Sequence, residues 1–298
     1  MTEDARHQQR IREQYAPETG ALFYRRVMGD GAPAIHYGIY QNTTTPMREA
    51  TLAATERLLE IASRTAGGLP PRQVLDLGAG PGGPAHHIAA RTGAIVTCVD
   101  LCEPHNRENE SLAAALGLAA NIRTWCGSFE SLPADWSGRF DLVWSQEAVC
   151  HALDPDAVFR EAFRVLRPGG ALAFSDILLA DDADEEMAAA FRMVNAVASF
   201  RTATEISACM TRRGFVAVRH EDWSEHLHEN FRRMRHQINR HRHELCDAGV
   251  HTDLLKRFAA SLDQRLSWPT GSILRWVAMT AKKSSMEPET GTQSIKFK

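Results

Sequence analysis

The sequence lacks most of the features that set a chain apart from ordinary globular proteins. No apolar run approaches the roughly 18 residues of a membrane span, and the opening Met1-Thr2-Glu3-Asp4-Ala5-Arg6-His7 has no apolar region of a secretory signal. Neither sign of charge dominates: 34 Lys and Arg against 37 Asp and Glu leave a formal charge of −3. That balance argues against bulk nucleic-acid binding and against the strong acidic excess of a protein living in high salt. Cysteine is sparse. The six, at positions 98, 102, 126, 150, 209 and 246, form no CxxC pair and no His/Cys spacing of a zinc site. Reduced thiols and no metal are therefore expected. There is no internal repeat. These absences lead to the expectation of a cytoplasmic protein without nucleic-acid or membrane partners, with a homodimer left open.

What is present is an ordinary composition, 44% apolar and 24% charged over 298 residues, which suits one large α/β domain with additions. Residues 1–70 show no convincing strand. They hold polar helix-like stretches, the aromatic pieces Phe23-Tyr24 and Ile35-His36-Tyr37-Gly38-Ile39-Tyr40, and a helical run from Met47 to Thr65 with Leu52, Leu58, Leu59, Ile61 and Ala62 at helical spacing. Then strands and helices alternate. Strands are expected at 73–77, 94–100, 122–126, 140–144 and 171–176, and helices at 84–92, 106–116 and 156–166. Such alternation reads as right-handed βαβ units in a doubly wound, mostly parallel sheet.

Beyond 177, helical regions at 183–200 and 204–213 precede a strand near 215–220, further helices and a last strand at 273–280. The last two strands suit an antiparallel pair at the sheet edge, giving a Rossmann-like sheet of seven strands with the last antiparallel. The expected organisation is a helical N-terminal extension and lid (1–70), a domain over 71–283 with helical insertions at about 181–213 and 224–268, and a disordered tail at 284–298.

Asp76-Leu77-Gly78-Ala79-Gly80-Pro81-Gly82-Gly83 places Gly78, Gly80 and Gly83 in a G-x-G-x-x-G pattern between a strand and a helix, with Asp100 about 20 residues on. Glycine lets the backbone turn tightly and approach a ligand, and the Asp100 carboxylate can accept hydrogen bonds from ribose hydroxyls. A nicotinamide or flavin cofactor fits this pattern equally well, and a bare strand-to-helix turn is the alternative without a ligand.

Later segments separate these options. Gly127-Ser128-Phe129, Phe140-Asp141-Leu142-Val143-Trp144 and Arg164-Val165-Leu166-Arg167-Pro168-Gly169-Gly170, together with Val74-Leu75-Asp76-Leu77-Gly78, resemble in order and spacing the recurrent motifs of class I S-adenosylmethionine-dependent methyltransferases. The resemblance covers about residues 72–176. It implies S-adenosyl-L-methionine as cofactor, with Gly78, Ala79 and Gly80 at its methionine end, Asp100 and Leu101 at the ribose, Ser128 and Phe129 along the adenine, and Asp76 opening the loop. Ser145 and Gln146, at the carboxyl end of the fourth strand, are expected beside the same ligand.

Trp144-Ser145-Gln146-Glu147-Ala148 with His151, and the 35–40 segment upstream, are similar to sarcosine/dimethylglycine N-methyltransferases. Tyr15 and His151 match the tyrosine and histidine that meet across the closed site of the phosphoethanolamine methyltransferases. The resemblance implies a small-molecule methyl acceptor, an amino acid or related amine. Tyr15 and His151 are then candidates for catalysis, as a base or as a latch over the site, with a satisfied structural histidine as the alternative for His151. Tyr24, His36, Tyr37, Tyr40 and Glu147 are candidates for binding substrate, and tyrosine rings suit an ammonium; the tyrosines also fit as core residues of the lid. A substrate carboxylate would want an arginine fork, with Arg25, Arg26, Arg192 and Arg201 in plausible segments.

Glu147-Ala148-Val149-Cys150-His151-Ala152 also looks like the sterol C-methyltransferases, so C-methylation of an isoprenoid or sterol-like acceptor stands as the alternative, and an inactive cofactor-binding regulator as a third class. The basic run from Arg232 to His243 reads as a solvated helix face offset by Glu225, Glu229, Glu244 and Asp247.

Overall fold

The computed structural model describes residues 2–285; the expected disordered tail lies almost wholly outside the described residues. Three helices come first: α1 (Glu3–Tyr15), α2 (Glu18–Val27) and α3 (Met47–Thr65). The alternating region follows as β1 (Gln73–Leu77), α4 (Gly83–Thr92), β2 (Ile95–Asp100), α5 (Glu103–Ala115), β3 (Ile122–Cys126), β4 (Phe140–Gln146), α6 (Pro155–Val165) and β5 (Leu166–Leu179). The rest comprises α7 (Ala189–Val194), α8 (Ala203–Arg212), β6 (Phe215–Asp222), α9 (Leu227–Arg240), α10 (Arg242–Asp247), α11 (Thr252–Ser267) and β7 (Leu274–Lys283). Among the described residues no helix is long and apolar enough to cross a membrane.

The seven strands form one sheet in the order β3-β2-β1-β4-β5-β7-β6. The first five are mutually parallel, while β7 runs antiparallel between β5 and β6. The apolar runs of β1 and β4 are buried because helices cover both sheet faces. The Asp141 carboxylate accepts from the backbone N–H of Arg72 (2.6 Å) and Gln73 (2.9 Å) and so fixes the start of β1. Arg167 to Gly170 loop out between two pairings, Phe140 with Leu166 and Leu142 with Ala171. The edge strand β6 is interrupted by a bulge at Ala217 (φ +52°) and carries Arg219, His220, Glu221 and Asp222, which guard it against pairing with other strands.

Two expectations about helices need correction. In α3 the buried face runs through Met47, Ala50, Thr51, Ala54, Thr55, Leu58 and Ala62, and Leu52 is exposed. Small residues serve here because the 35–40 segment lies directly on the helix; a side chain at Gly38 would collide with Ala50. The helix expected over 183–200 is also broken. A 3-10 turn at Glu185–Ala188 leads into the short α7, and the chain then turns at Ala196, whose φ is +52°. Asn195 is pulled back onto the Phe191 carbonyl by its own side chain (2.9 Å), which ends the helix.

The N-terminal helices contribute to the core. Phe23 and Tyr24 of α2 pack edge-on against Phe258 of α11, with ring centroids 4.8 and 6.1 Å apart. Helices from both ends of the sequence thus share one apolar cluster with α9 and one face of the sheet. This helical roof stands over the carboxyl ends of β1 and β4, where strand order reverses and such sheets bind ligands.

Candidate active site

Under the roof is a cavity, partly open to solvent, with Gly78, Gly80, Asp100, Leu101, Ser128, Phe129, Gln146, Glu147, His151 and Tyr15 in its wall. The glycine loop makes this space. Gly78 (φ +75°) lies against Ala148, and a Cβ there would strike the Ala148 methyl; at Gly80 (φ +53°) a Cβ would meet open space. Gly78 and Ala79 donate to the Val99 carbonyl (2.8 and 3.1 Å), and Ser145 Oγ donates to the Leu77 carbonyl (2.8 Å), so β1 and β4 are locked at the point where the loop leaves the sheet.

Asp100 accepts from the backbone N–H groups of Gly80 (2.9 Å) and Cys102 (2.7 Å). Burial alone would raise its carboxyl, but His105 and these two N–H groups outweigh that and hold it below the usual range. It is therefore an ionised acceptor in the cavity wall. Three further polar atoms are buried without partners: Gln146 Nε2, His105 Nε2 and Asp76 Oδ2. Buried polar groups are normally paired, and these supply donors and an acceptor of the kind that S-adenosylmethionine, with its carboxylate, ammonium, ribose and purine, would satisfy. Asp76 is pushed up to about 8 by burial and by the neighbouring Asp100, so its neutral form predominates until a positive group approaches.

Glu147 follows β4 on strained backbone, with φ +48°. Its Oε1 accepts from Ser175 Oγ (2.7 Å) and Trp276 Nε1 (2.8 Å), and its Oε2 accepts from the Tyr37 backbone N–H (3.1 Å). Burial pushes this carboxyl up to about 8 against the pull of those donors. Beside it Asp176, raised to about 6 chiefly by burial, holds the Cys150 N–H at 2.7 Å and shapes the turn that carries His151.

Helix α1 crosses the cavity as a strap. Gln8, Ile11 and Tyr15, one face of the helix, line the wall. His7 Nε2 donates to the His151 carbonyl (2.7 Å), Arg12 Nε donates to the Leu101 carbonyl (3.2 Å), and the Tyr15 hydroxyl meets His151 Nε2 at 3.3 Å. The His151 tautomer is set from behind. Its Nδ1–H donates to the Ala196 carbonyl (3.3 Å), which leaves Nε2 to accept from the Tyr15 hydroxyl. The carbonyl is available because the 183–200 helix breaks where it does. Burial holds the imidazole near 4, so it is neutral at physiological pH.

The remaining candidates lie outside the cavity wall. Asp76, Ala79 and Ser145 support the loop from below. Tyr24 stacks on Tyr15 with centroids 4.6 Å apart, and Tyr37 packs edge-on against Trp276. His36 uses both ring nitrogens within the fold, near the Tyr37 carbonyl (2.9 Å) and Thr55 Oγ1 (3.4 Å), and the Thr55 hydroxyl donates to Gln146 Oε1 (3.0 Å). The Tyr40 ring packs under Arg233.

The four candidate arginines do not converge on the cavity: Arg25 pairs with Glu108, Arg26 with Glu244 and Arg192 with Glu185, while Arg201 is exposed. Sequence reasoning missed Gln8, Ile11, Ile35, Cys102, His105 and Glu130 in the wall. The spacing 8, 11, 15 on the helix that carries Tyr15 is a signal that could have found the first two. The basic run on α9 is a solvated face as expected, with Arg232 and Arg233 held by Glu229 and Arg235 by Asp263.

A methyltransferase-domain model matches residues 75–174. The sarcosine/dimethylglycine N-methyltransferase of Halorhodospira halochloris is 31% identical over 265 residues, which cover 89% of this chain and 92% of that protein. The glycine/sarcosine/dimethylglycine N-methyltransferase of Actinopolyspora halophila is 33% identical over 79% of this chain and 40% of that protein. Among solved structures, a protein of Galdieria sulphuraria assigned to the sarcosine dimethylglycine methyltransferases superposes with a TM-score of 0.82 at 25% identity, over 92% of this chain and all of that one. A Haemonchus contortus phosphoethanolamine N-methyltransferase 2, solved with S-adenosyl-L-methionine, shares the fold at a TM-score of 0.73 and 18% identity, over 93% of this chain and 60% of that one. With the glycine loop, the Asp100 acceptor and a relative similar along almost its whole length, the chain is an S-adenosylmethionine-dependent methyltransferase of class I and belongs to the family that holds the sarcosine/dimethylglycine N-methyltransferases.

Proposed function

We propose that the protein methylates the nitrogen of a small amino acid or related amine. The observation that carries this reading is Glu147, a carboxylate on strained backbone, gripped by three donors and opening on the cavity. The bound cofactor supplies an electrophilic methyl carbon on a positive sulfonium. An amine must meet that carbon with a free lone pair, whereas alkylammonium groups titrate above about 8. The extra proton must leave first, and Glu147 Oε2 is the group matched to take it. A nearby positive charge lowers both the glutamate and the ammonium values, so their match is kept. His151, whose basicity burial lowers to about 4, is a poor base for this step. In this reading Tyr15 and His151 form a latch: they hold α1 across the site and keep water from it during transfer.

The relatives similar along most of the chain act on amino-acid amines, which favours such an acceptor over an isoprenoid or sterol-like one. The acceptor is then a metabolite-sized molecule met in the cytoplasm, with no nucleic acid or membrane taking part. Isotope transfer from methyl-labelled cofactor to glycine, sarcosine and dimethylglycine, alongside prenyl and sterol acceptors, tests this. Label is expected in amines; label confined to the apolar acceptors, or in no acceptor, overturns the reading.

A further inference from the structure

Arg265 of α11 is 1% exposed. Its Nε donates to the Ser261 carbonyl one turn earlier (3.0 Å), but Nη1 and Nη2 are buried with the Tyr37 hydroxyl as the nearest polar group and no carboxylate, and Ser261 Oγ of the preceding turn is also buried without a partner. The guanidinium carbon also lies over the Phe191 and Phe231 rings, 4.8 and 4.7 Å from their centroids. No carboxylate acts on it; the groups that do are the phenols of Tyr37 and Tyr24. Arginine cannot shed its charge in a protein, and a buried guanidinium without an anion is strongly disfavoured. The fold therefore holds a buried cation whose anion is not among the described residues.

The two phenols connect this cation to the cavity. Tyr24 stacks on Tyr15, part of the cavity wall, and the Tyr37 backbone N–H is held by Glu147, also in the wall. Tyr37 thus bridges the Glu147 carboxyl group at its backbone N–H and a cation near its hydroxyl. A zwitterion with its ammonium toward Glu147 and its negative group toward Arg265 matches that polarity. We infer that Arg265, with the Tyr24 and Tyr37 hydroxyls and Ser261 Oγ, is the site for the acceptor's carboxylate and sets the preference for amino acids over simple amines. One guanidinium whose two terminal nitrogens have no carboxylate partner suits a carboxylate, which takes two parallel bonds from such a fork. A phosphate dianion would call for a second cation, and none acts on Arg265.

The identity of the acceptor rests on the amine reading above; the existence of the anion site does not. In kinetics with saturating cofactor, Arg265→Met is expected to raise KM for dimethylglycine about 100-fold, the worth of two charge-assisted hydrogen bonds. KM for N,N-dimethylethanolamine, which lacks the carboxylate, should stay within about twofold, and cofactor affinity should not change. Arg265→Lys should recover part of the loss. Equal losses for both acceptors overturn the assignment, as does a wild-type preference for phosphodimethylethanolamine that Arg265→Met abolishes.

A binding arm is independent of turnover. Acetate or glycine should raise the Tm of cofactor-loaded wild type and leave that of Arg265→Met unmoved, while Arg265→Met without ligand should melt higher than wild type because an unpaired charge is gone. If no amine is methylated but the acetate shift appears and depends on Arg265, the anion site stands and the amine reading falls. If the acetate shift is absent, the anion site falls.

Discussion

Glu147 gathers the main physical conflicts of the site: a carboxyl raised by burial, surrounded by donors that prefer it ionised, on a backbone angle that only a well-determined environment tolerates. Its consequence for stability has a definite sign. A carboxyl raised in the folded state favours folding fully below its unfolded value near 4.5, and that contribution is lost as pH rises through about 8. Asp76, also near 8, acts in the same direction. The unliganded protein should accordingly lose stability from this pair between about pH 4.5 and 8, with a shallower loss in Glu147→Gln, as urea titrations at several pH values would show. Activity runs the other way, because the ionised form takes the proton. We expect kcat/KM to climb toward pH 8 in wild type, and Glu147→Gln to lose at least about 100-fold together with that climb. The residues of the glycine loop were legible in the sequence because backbone geometry demands glycine there, as the Gly78 contact with Ala148 demonstrates. Arg265 was not, although it had a signal: it continues the buried series Leu255, Phe258, Ser261, Leu262 on α11, and an arginine in an apolar stripe is out of place unless something pairs with it.

Among the elements, α1 has the most direct bearing on chemistry. It is polar along most of its length, with only His7 and Ile11 buried, so hydrogen bonds more than apolar burial hold it over the cavity. Such an element sits at the low end of local stability and can open. Tyr15→Phe removes one loose bond, and His151→Ala removes the imidazole while keeping the carbonyl that His7 uses. Each is expected to speed hydrogen exchange in residues 3–15 and to lower kcat about 10-fold or more, and the double variant should cost little beyond the larger single effect because the pair acts as one unit. Unchanged exchange in α1 would remove the latch.

The helical periodicity of 47–65 and the strand–helix alternation of 73–176 identified those elements correctly, since their patterns are local. The break at 195 was not visible: Ala189 to Val197 reads as helix by propensity, and what ends it is the Asn195 side chain and the tertiary demand of His151 for a carbonyl. The buried face of α3 was not legible for a related reason, because close approach to Gly38 selects alanine over leucine and hydrophobicity alone cannot reveal that.

At the scale of the whole molecule, one buried side chain ties the two halves of the roof. Asn230 of α9 donates to the Gly38 carbonyl (2.9 Å) and accepts from the Gly38 N–H (2.8 Å), pinning the 35–40 segment that also feeds Glu147 its Tyr37 donor. Asn230→Ala would strand both backbone groups, and a loss of about 2–4 kcal/mol in unfolding free energy is expected, with weakened acceptor binding, measurable by denaturant titration and steady-state kinetics. The packing of Phe23 against Phe258 extends the same theme across roughly 230 residues of sequence. On a ribosome adding about 5–20 residues per second, α2 waits some tens of seconds for α11 to emerge. The cofactor platform can be finished while the roof still has no partner, so the acceptor pocket is the last part of the newborn chain to acquire its shape, and the apolar face of α2 is the part most in need of a chaperone until it does.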